Sequence, residues 1–320
     1  MPDVRPSPVP DSSATRDFAI VARLAGWTAA LMYVLIVVGS IVRTTDSGLS
    51  CPDWPLCHGQ LIPPMQFNIF MEWIHRLIAL VVGLGLVSTA LWVMAHRATR
   101  ARLGGLAALA IVLYLTQALL GALTVWKLLD PNIVSGHLAV GLLLFSTLLT
   151  LALSARHEAS PPATPVARPA GLLPWFAVAV PAVWLQAVLG GMVSTNHASL
   201  ICHDWPTCNG EWFPPMIGLV AIQMSHRFAA YALIVLIGLL AWRASRSGDA
   251  VAGRLGRGMF HLVLFQAIVG IANIHMGIPV WVSAVHLGNA ALMLALTLIA
   301  ALRCAAATAP EGVPAGAVAS

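Results

Sequence analysis

The sequence predicts an all-α integral membrane protein whose eight transmembrane helices form two tandem, pseudo-symmetric four-helix bundles. Three observations predict it. Of the 320 residues, 59% are hydrophobic and only 9% charged, whereas soluble domains run near half apolar and a quarter charged. The same balance excludes a disordered chain, which needs low hydrophobicity and many charges. The apolar residues gather into eight runs near the ~20 residues that a helical span requires. Finally, a set of motifs in the first half returns, in order, in the second.

Taken in order, residues 1–17 are polar and proline-rich (Pro2, Pro6, Pro8, Pro10) and read as a disordered tail. The first apolar run, 18–42, is too long for a signal-peptide core and has no convincing small-residue cleavage site after it. Further runs cover 68–94, 103–126, 133–154, 174–195, 217–242, 258–276 and 280–302, the seventh being the shortest. Segments this long and apolar solve their backbone hydrogen bonding in lipid as helices. The domain plan is a bundle over 18–155, a Pro/Ala-rich linker over 156–173, a second bundle over 174–303 and a tail over 304–320.

Basic residues mark the topology. Arg5, Arg16, Arg23, Arg97, Arg100, Arg102, Arg156, Arg168, Arg243, Arg246, Arg254, Arg257 and Arg303 all fall on one side, against Arg43 and Lys127 on the other. This bias places both termini in the cytoplasm. Because the arginines are spread over several loops and do not cluster, nucleic acid is excluded as a partner.

The repeat is the most informative feature. CPDWPLCHG (Cys51–Gly59) returns as CHDWPTCNG (Cys202–Gly210) at an offset of 151, as do Pro63-Pro64-Met65 and His75-Arg76. Gln117, Gly121 and His137 return as Gln266, Gly270 and His286 at an offset of 149. Each half has an even number of spans, so both enter the membrane in one orientation, related by a pseudo-two-fold axis along the membrane normal.

Among the histidines, His75, His137, His226 and His286 lie inside spans, each roughly 6–14 Å below the extracytoplasmic surface at ~1.5 Å per residue. Hydrogen bonding to a neighbouring helix would suffice for one such histidine. Two repeated pairs at matched depth favour axial ligation of a haem iron in each half. Zinc would want cysteine or carboxylate close by, and neither bundle offers that cluster. Arg76 and Arg227 follow two of these histidines; they either snorkel to headgroups or pair with haem propionates, whose geometry suits guanidinium. Cys51/Cys57 and Cys202/Cys208 lie in extracytoplasmic loops, where disulfides persist. Closing each loop stabilises by about 2 kcal/mol in the chain-entropy model, and for the first pair a redox role stands beside the structural one. Cys304 reads as apolar filling.

The halves differ in two telling places. Glu72 precedes His75 by one helical turn and becomes Gln223; Arg43 becomes Ser194. A carboxylate inside a span marks a functional site by default, although a Glu72–Arg76 pair at i,i+4 would also account for it.

VRTTDSGLSCPDWPLCHG (Val42–Gly59), EWIHR (Glu72–Arg76) and the degenerate second copy closely resemble the haem A synthases, specifically the bacterial subclass with paired loop cysteines, over residues 18–302. Asp46 departs from the glycine expected in that segment. The resemblance implies an inner-membrane enzyme that oxidises the C8 methyl of haem O to the formyl of haem A. It implies substrate-haem ligands at His75 and His137, a permanent haem b on His226 and His286, and Glu72 as the catalytic carboxylate. Arg43, Arg76 and Arg227 would be propionate or charge partners. Haem O synthase, terminal-oxidase assembly factors and a membrane electron acceptor would be its partners. The residues by themselves leave two rivals open, a bis-haem electron-transfer protein and a haem carrier; the Glu72/Gln223 and Arg43/Ser194 asymmetry favours an enzyme.

Overall fold

Long runs of Leu, Ala, Val and Ile bond their own backbone as helix, and the computed structural model, which describes residues 12–161 and 171–306, contains eight such helices. They are α1 (Ser12–Thr44), α2 (Phe67–Ala95), α3 (Arg97–Trp126), α4 (Pro131–Ala159), α5 (Leu173–Thr195), α6 (Gly218–Ser245), α7 (Ala250–His275) and α8 (Val280–Ala306). All eight are long and apolar enough to cross a membrane, which makes the chain a multi-pass membrane protein. Residues 1–11, 162–170 and 307–320, with most of the expected tails and linker, lie outside the described residues.

Most helices outrun their apolar cores. α3 begins at Arg97 and α7 at Ala250, so Arg100, Arg102, Arg254 and Arg257 are helical and not loop residues. Arginine is a good helix former, and its long stem lets the charge leave the apolar zone. A single extended residue, His96 (φ −109°, ψ 124°), separates α2 from α3. It stacks on Trp92 and lies 3.8 Å from Asp17. That anchor lies on an early turn of α1, which starts at Ser12, ahead of the apolar run. Asp130 and Asp249 cap α4 and α7 by accepting the N–H groups two and three residues on. Asp249 also pairs with Arg303 at 2.9 Å, tying the start of α7 to the end of α8.

Helix neighbours repeat as the sequence does. In the first half α1 packs on α2, α2 on α3, α3 on α4 and α4 back on α1; the second half forms the same ring from α5 to α8. The rings join where α1 meets α8 and α4 meets α5, with α4 also against α8. Leu142, Leu144 and Phe145 from α4, Phe176 and Val183 from α5 and Met293 from α8 therefore share one core.

At one end of the bundle each half carries a disulfide-closed loop, Cys51–Cys57 and Cys202–Cys208, each with Cα atoms 4.7 Å apart. Asp53 accepts from the backbone N–H of His58 and Gly59, and Asp204 from Asn209 and Gly210. The loops match down to their backbone, with positive φ at Asp46 and His197 and again at His58 and Asn209. The glycine expected at position 46 therefore has a reason: Asp46 holds a φ of 52°, where glycine pays no Cβ penalty.

Candidate functional site

A cavity of about 1060 Å³ runs between the two rings and is lined by His75, His137, His226 and His286 together. Each histidine projects from the second or fourth helix of its ring onto a glycine of the helix before it. A Cβ built on Gly39 would lie 3.2 Å from Cε1 of His75, and one on Gly121 would lie 3.3 Å from Cε1 of His137. Gly190 and Gly270 stand in the same relation to His226 and His286, at 3.0 Å. The glycines thus leave each imidazole room to lie flush against a helix backbone. The Nδ1 atoms of His75, His137 and His286 are buried with no hydrogen-bond partner, a state that costs free energy unless something else binds the ring.

This donor set suits a haem. Among the described residues no three His, Cys, Asp or Glu side chains gather closely enough to hold a bare metal ion. An iron that brings its own four nitrogens needs just two imidazoles, and each ring of helices supplies a pair. Apolar walls from Leu35, Ile36, Leu138 and Leu233 complete a chamber suited to a porphyrin.

Glu72 sits at the mouth of the first half, 4% exposed. Its Oε2 accepts from the Cys51 backbone N–H at 2.7 Å, and its Oε1 from Arg76 Nη2 at 2.5 Å. The carboxylate therefore joins the helix carrying His75 to the disulfide loop, and the i,i+4 salt bridge is real. In the second half the neutral Gln223 replaces it: Nε2 reaches Ser199 O at 3.5 Å, while Oε1 is buried without a partner.

The sequence profile of the cytochrome oxidase assembly protein family matches residues 22–69 and 65–298. The chain belongs to that family. It is similar to the haem A synthase of Shewanella oneidensis, with 31% identity over 316 residues, 85% of this chain and 92% of that protein. The haem A synthase of Symbiobacterium thermophilum is 33% identical over 225 residues, covering 68% of this chain and 73% of that protein. That of a Methylobacterium species is 29% identical over 347 residues, covering 91% and 94%.

In this member of the cytochrome oxidase assembly protein family, the arginines that follow His75 and His226 turn towards the loops. Arg76 donates to the carbonyls of Asp53 (2.6 Å), Leu56 (2.5 Å) and Cys51 (3.0 Å). Arg227 does the same at Asp204 (2.8 Å), Thr207 (2.5 Å) and Cys202 (2.6 Å). Neither snorkels to headgroups: each guanidinium clasps a disulfide loop onto the mouth of its own half. Arg43 donates to Ser194 O at 2.6 Å and lies 3.6 Å from Asp46. All three arginines still line the cavity.

Sequence reasoning passed over several residues here. Gly39 and Gly190 are related by the same 151-residue offset as the loop motifs and stand against histidines, so the repeat itself was a signal for them. Gln186 and Asn289, which have apolar counterparts in the first half, reach His226 and Gln266. Breaks in a repeat inside apolar helices were the available signal there.

Proposed function

We propose that this chain is a haem A synthase, oxidising the C8 methyl of haem O to the formyl of haem A for terminal oxidases. The observation that carries the proposal is one cavity lined by both repeated histidine pairs and, among the described residues, by just one buried carboxylate, Glu72. In this reading His75 and His137 hold the substrate haem, while His226 and His286 hold a resident haem b. When bound, that haem b supplies a redox-active iron that can carry electrons away from the substrate's half.

The protein's own groups do the rest. The glycine-backed imidazoles fix the plane of the substrate. With water supplying the oxygen, oxidising a methyl to a formyl releases protons as well as electrons, and Glu72, held on both oxygens at the cavity mouth, is the group placed to accept the protons or to stabilise positive charge. Arg76 keeps that carboxylate aimed. The guanidinium groups of Arg43, Arg76 and Arg227 have N–H donors beyond those spent on carbonyls and would take the propionates. The apolar walls of the cavity suit a substrate with a farnesyl chain.

The membrane is the bacterial inner membrane, with the disulfide loops outside and both termini in the cytoplasm, a reading that the arginine bias supports. Haem O synthase is the source of substrate, terminal-oxidase assembly factors take the product, and a membrane acceptor takes the electrons.

The test is product analysis after supplying haem O to purified protein. Wild type should give alcohol and aldehyde products, and Glu72→Gln should lower turnover by ~10²-fold or more. Equal conversion by both would remove the carboxylate from the mechanism. No conversion by wild type under reducing and oxidising conditions would leave a haem carrier as the better reading.

A further inference from the structure

Side-chain amides grip the histidines of one half more fully than those of the other. Gln186 Nε2 donates to the backbone carbonyl of His226 at 3.0 Å and lies 3.0 Å from that ring's Nδ1. Gln266 Nε2 donates to the backbone carbonyl of His286 at 3.0 Å. Gln266 is itself fixed by Asn289, whose Nδ2 donates to Gln266 Oε1 at 2.6 Å and to Leu262 O at 3.1 Å.

The repeat breaks at both devices. Gln186 corresponds to Leu35 and Asn289 to Val140, at the same offsets that relate the histidines. In the first half His75 Nδ1 accordingly has no partner. Gln117 keeps a 3.2 Å contact with His137 Nε2, but its own Oε1 is buried and unpaired. Amides thus hold both histidines of the second half, His226 at ring and backbone and His286 at the backbone, whereas in the first half the amide contact is on the His137 ring.

We infer that Gln186 and Asn289 are positioning residues that make the second half retain its haem, while Leu35 and Val140 leave the first half able to exchange. The inference rests on the assignment above of His226 and His286 to the resident haem. A ligand already held in its binding orientation loses less freedom on ligation, and outer-shell partners typically change metal affinity by about 10–100-fold. An imidazole that ligates through one nitrogen carries its hydrogen on the other. A half-turn of the Gln186 amide, exchanging the Nε2 bond to the His226 carbonyl, would offer that hydrogen Oε1 as acceptor. Such an acceptor raises ligand basicity and favours the oxidised iron.

The experiment uses the purified holoprotein, measuring haem per chain, the rate of haem transfer to apomyoglobin, and the midpoint potential by redox titration. Gln186→Leu and Asn289→Val should each release the resident haem about tenfold faster, and Gln186→Leu should also raise its potential, which a purely structural role would not do. Conversely, Leu35→Gln should slow release of haem O from the first half by a similar factor. Wild-type release rates and potential in both loss variants, with His226→Ala still stripping the haem, would overturn the inference while leaving the assignment of halves intact. Should Gln186→Leu fail to fold, an unchanged release rate in Leu35→Gln overturns it instead. If His75→Ala strips the resident haem and His226→Ala keeps it, the assignment falls first and the inference with it.

Discussion

Arg43 and Ser194 occupy the same position in the two halves of the chain, and they are bonded to each other, Nη2 to carbonyl oxygen, at 2.6 Å. The difference between the halves at this position is therefore a single interaction across the pseudo-axis and not two independent substitutions. Beside it Ser135 and Thr195 share a hydroxyl hydrogen bond of 2.9 Å, again from one half to the other.

Because the acceptor is a backbone carbonyl, the two partners should respond unequally to mutation. Arg43→Ala should lower stability by about 1.5 kcal/mol, the lower end for a charged hydrogen bond since the side chain is partly exposed. Ser194→Ala should stay within about 0.5 kcal/mol of wild type. Thermal unfolding in detergent decides it, and equal effects from both variants would be inconsistent with the bond described.

The arginine clasps should not tolerate lysine. An ammonium is a compact point charge and cannot span three carbonyls as a guanidinium fork does. Losing one charged hydrogen bond of about 1.5 kcal/mol makes local opening ~10-fold more frequent. Arg76→Lys and Arg227→Lys should each speed reduction of the disulfide in their own half by that order, leaving the other half unaffected.

Asp46→Gly should stabilise the protein by roughly 0.5–1 kcal/mol, since it relieves a positive φ. The ion pair it removes is weak: the Asp46 carboxylate is 88% exposed and 3.6 Å from Arg43. Comparing melting temperatures of wild type and variant tests this, and a lower value for glycine would show that the pair outweighs the backbone.

Acid should loosen the two loops at different pH. Hydrogen bonds from Gly59 and His58 hold the Asp53 carboxyl below its ordinary value. Asp204 is pushed down further, first by the Thr207 hydroxyl and then by Gly210 and Asn209. Both folded values are depressed, so the contribution is complete above the ordinary aspartate value of about 3.9 and is lost as pH falls through each folded value. The first loop should therefore open at higher pH than the second. Leu56 stands where Thr207 does, so Thr207→Leu should remove most of that difference in hydrogen exchange of residues 202–211.

Thiol labelling of unreduced, denatured protein should modify Cys304, with the four loop cysteines reacting after reduction. In the folded protein Cys304 is 2% exposed and should label slowly. Labelling at Cys51 or Cys202 before reduction would contradict the two bridges.

Spans and histidine pairs were legible because each rests on composition or on repetition. Apolar runs name helices, and an offset of 151 names partners without knowledge of their contacts. The direction taken by a long side chain is not written that way. Arg76 and Arg227 were open to a headgroup or propionate reading, and nothing in the spacing showed that they also bond carbonyls 20–25 residues earlier. Glu72 was legible as a lone intramembrane carboxylate, yet its tie to Cys51 N depends on how the loop folds back. Helix ends were misjudged where arginine continues a helix past its apolar core, as at Arg97 and Arg254.

The junction between the rings has a consequence for descent. α1 meets α8 as α5 meets α4, so each half presents the other with the same pair of helices that it receives. That is the arrangement of an isologous dimer. A four-helix ancestor of half the length could have built the whole chamber from two identical copies, each with the same ligands. Carrying both copies in one chain is what lets Glu72 and Gln223, or Leu35 and Gln186, be different residues, where two copies of one shorter chain would have to be alike.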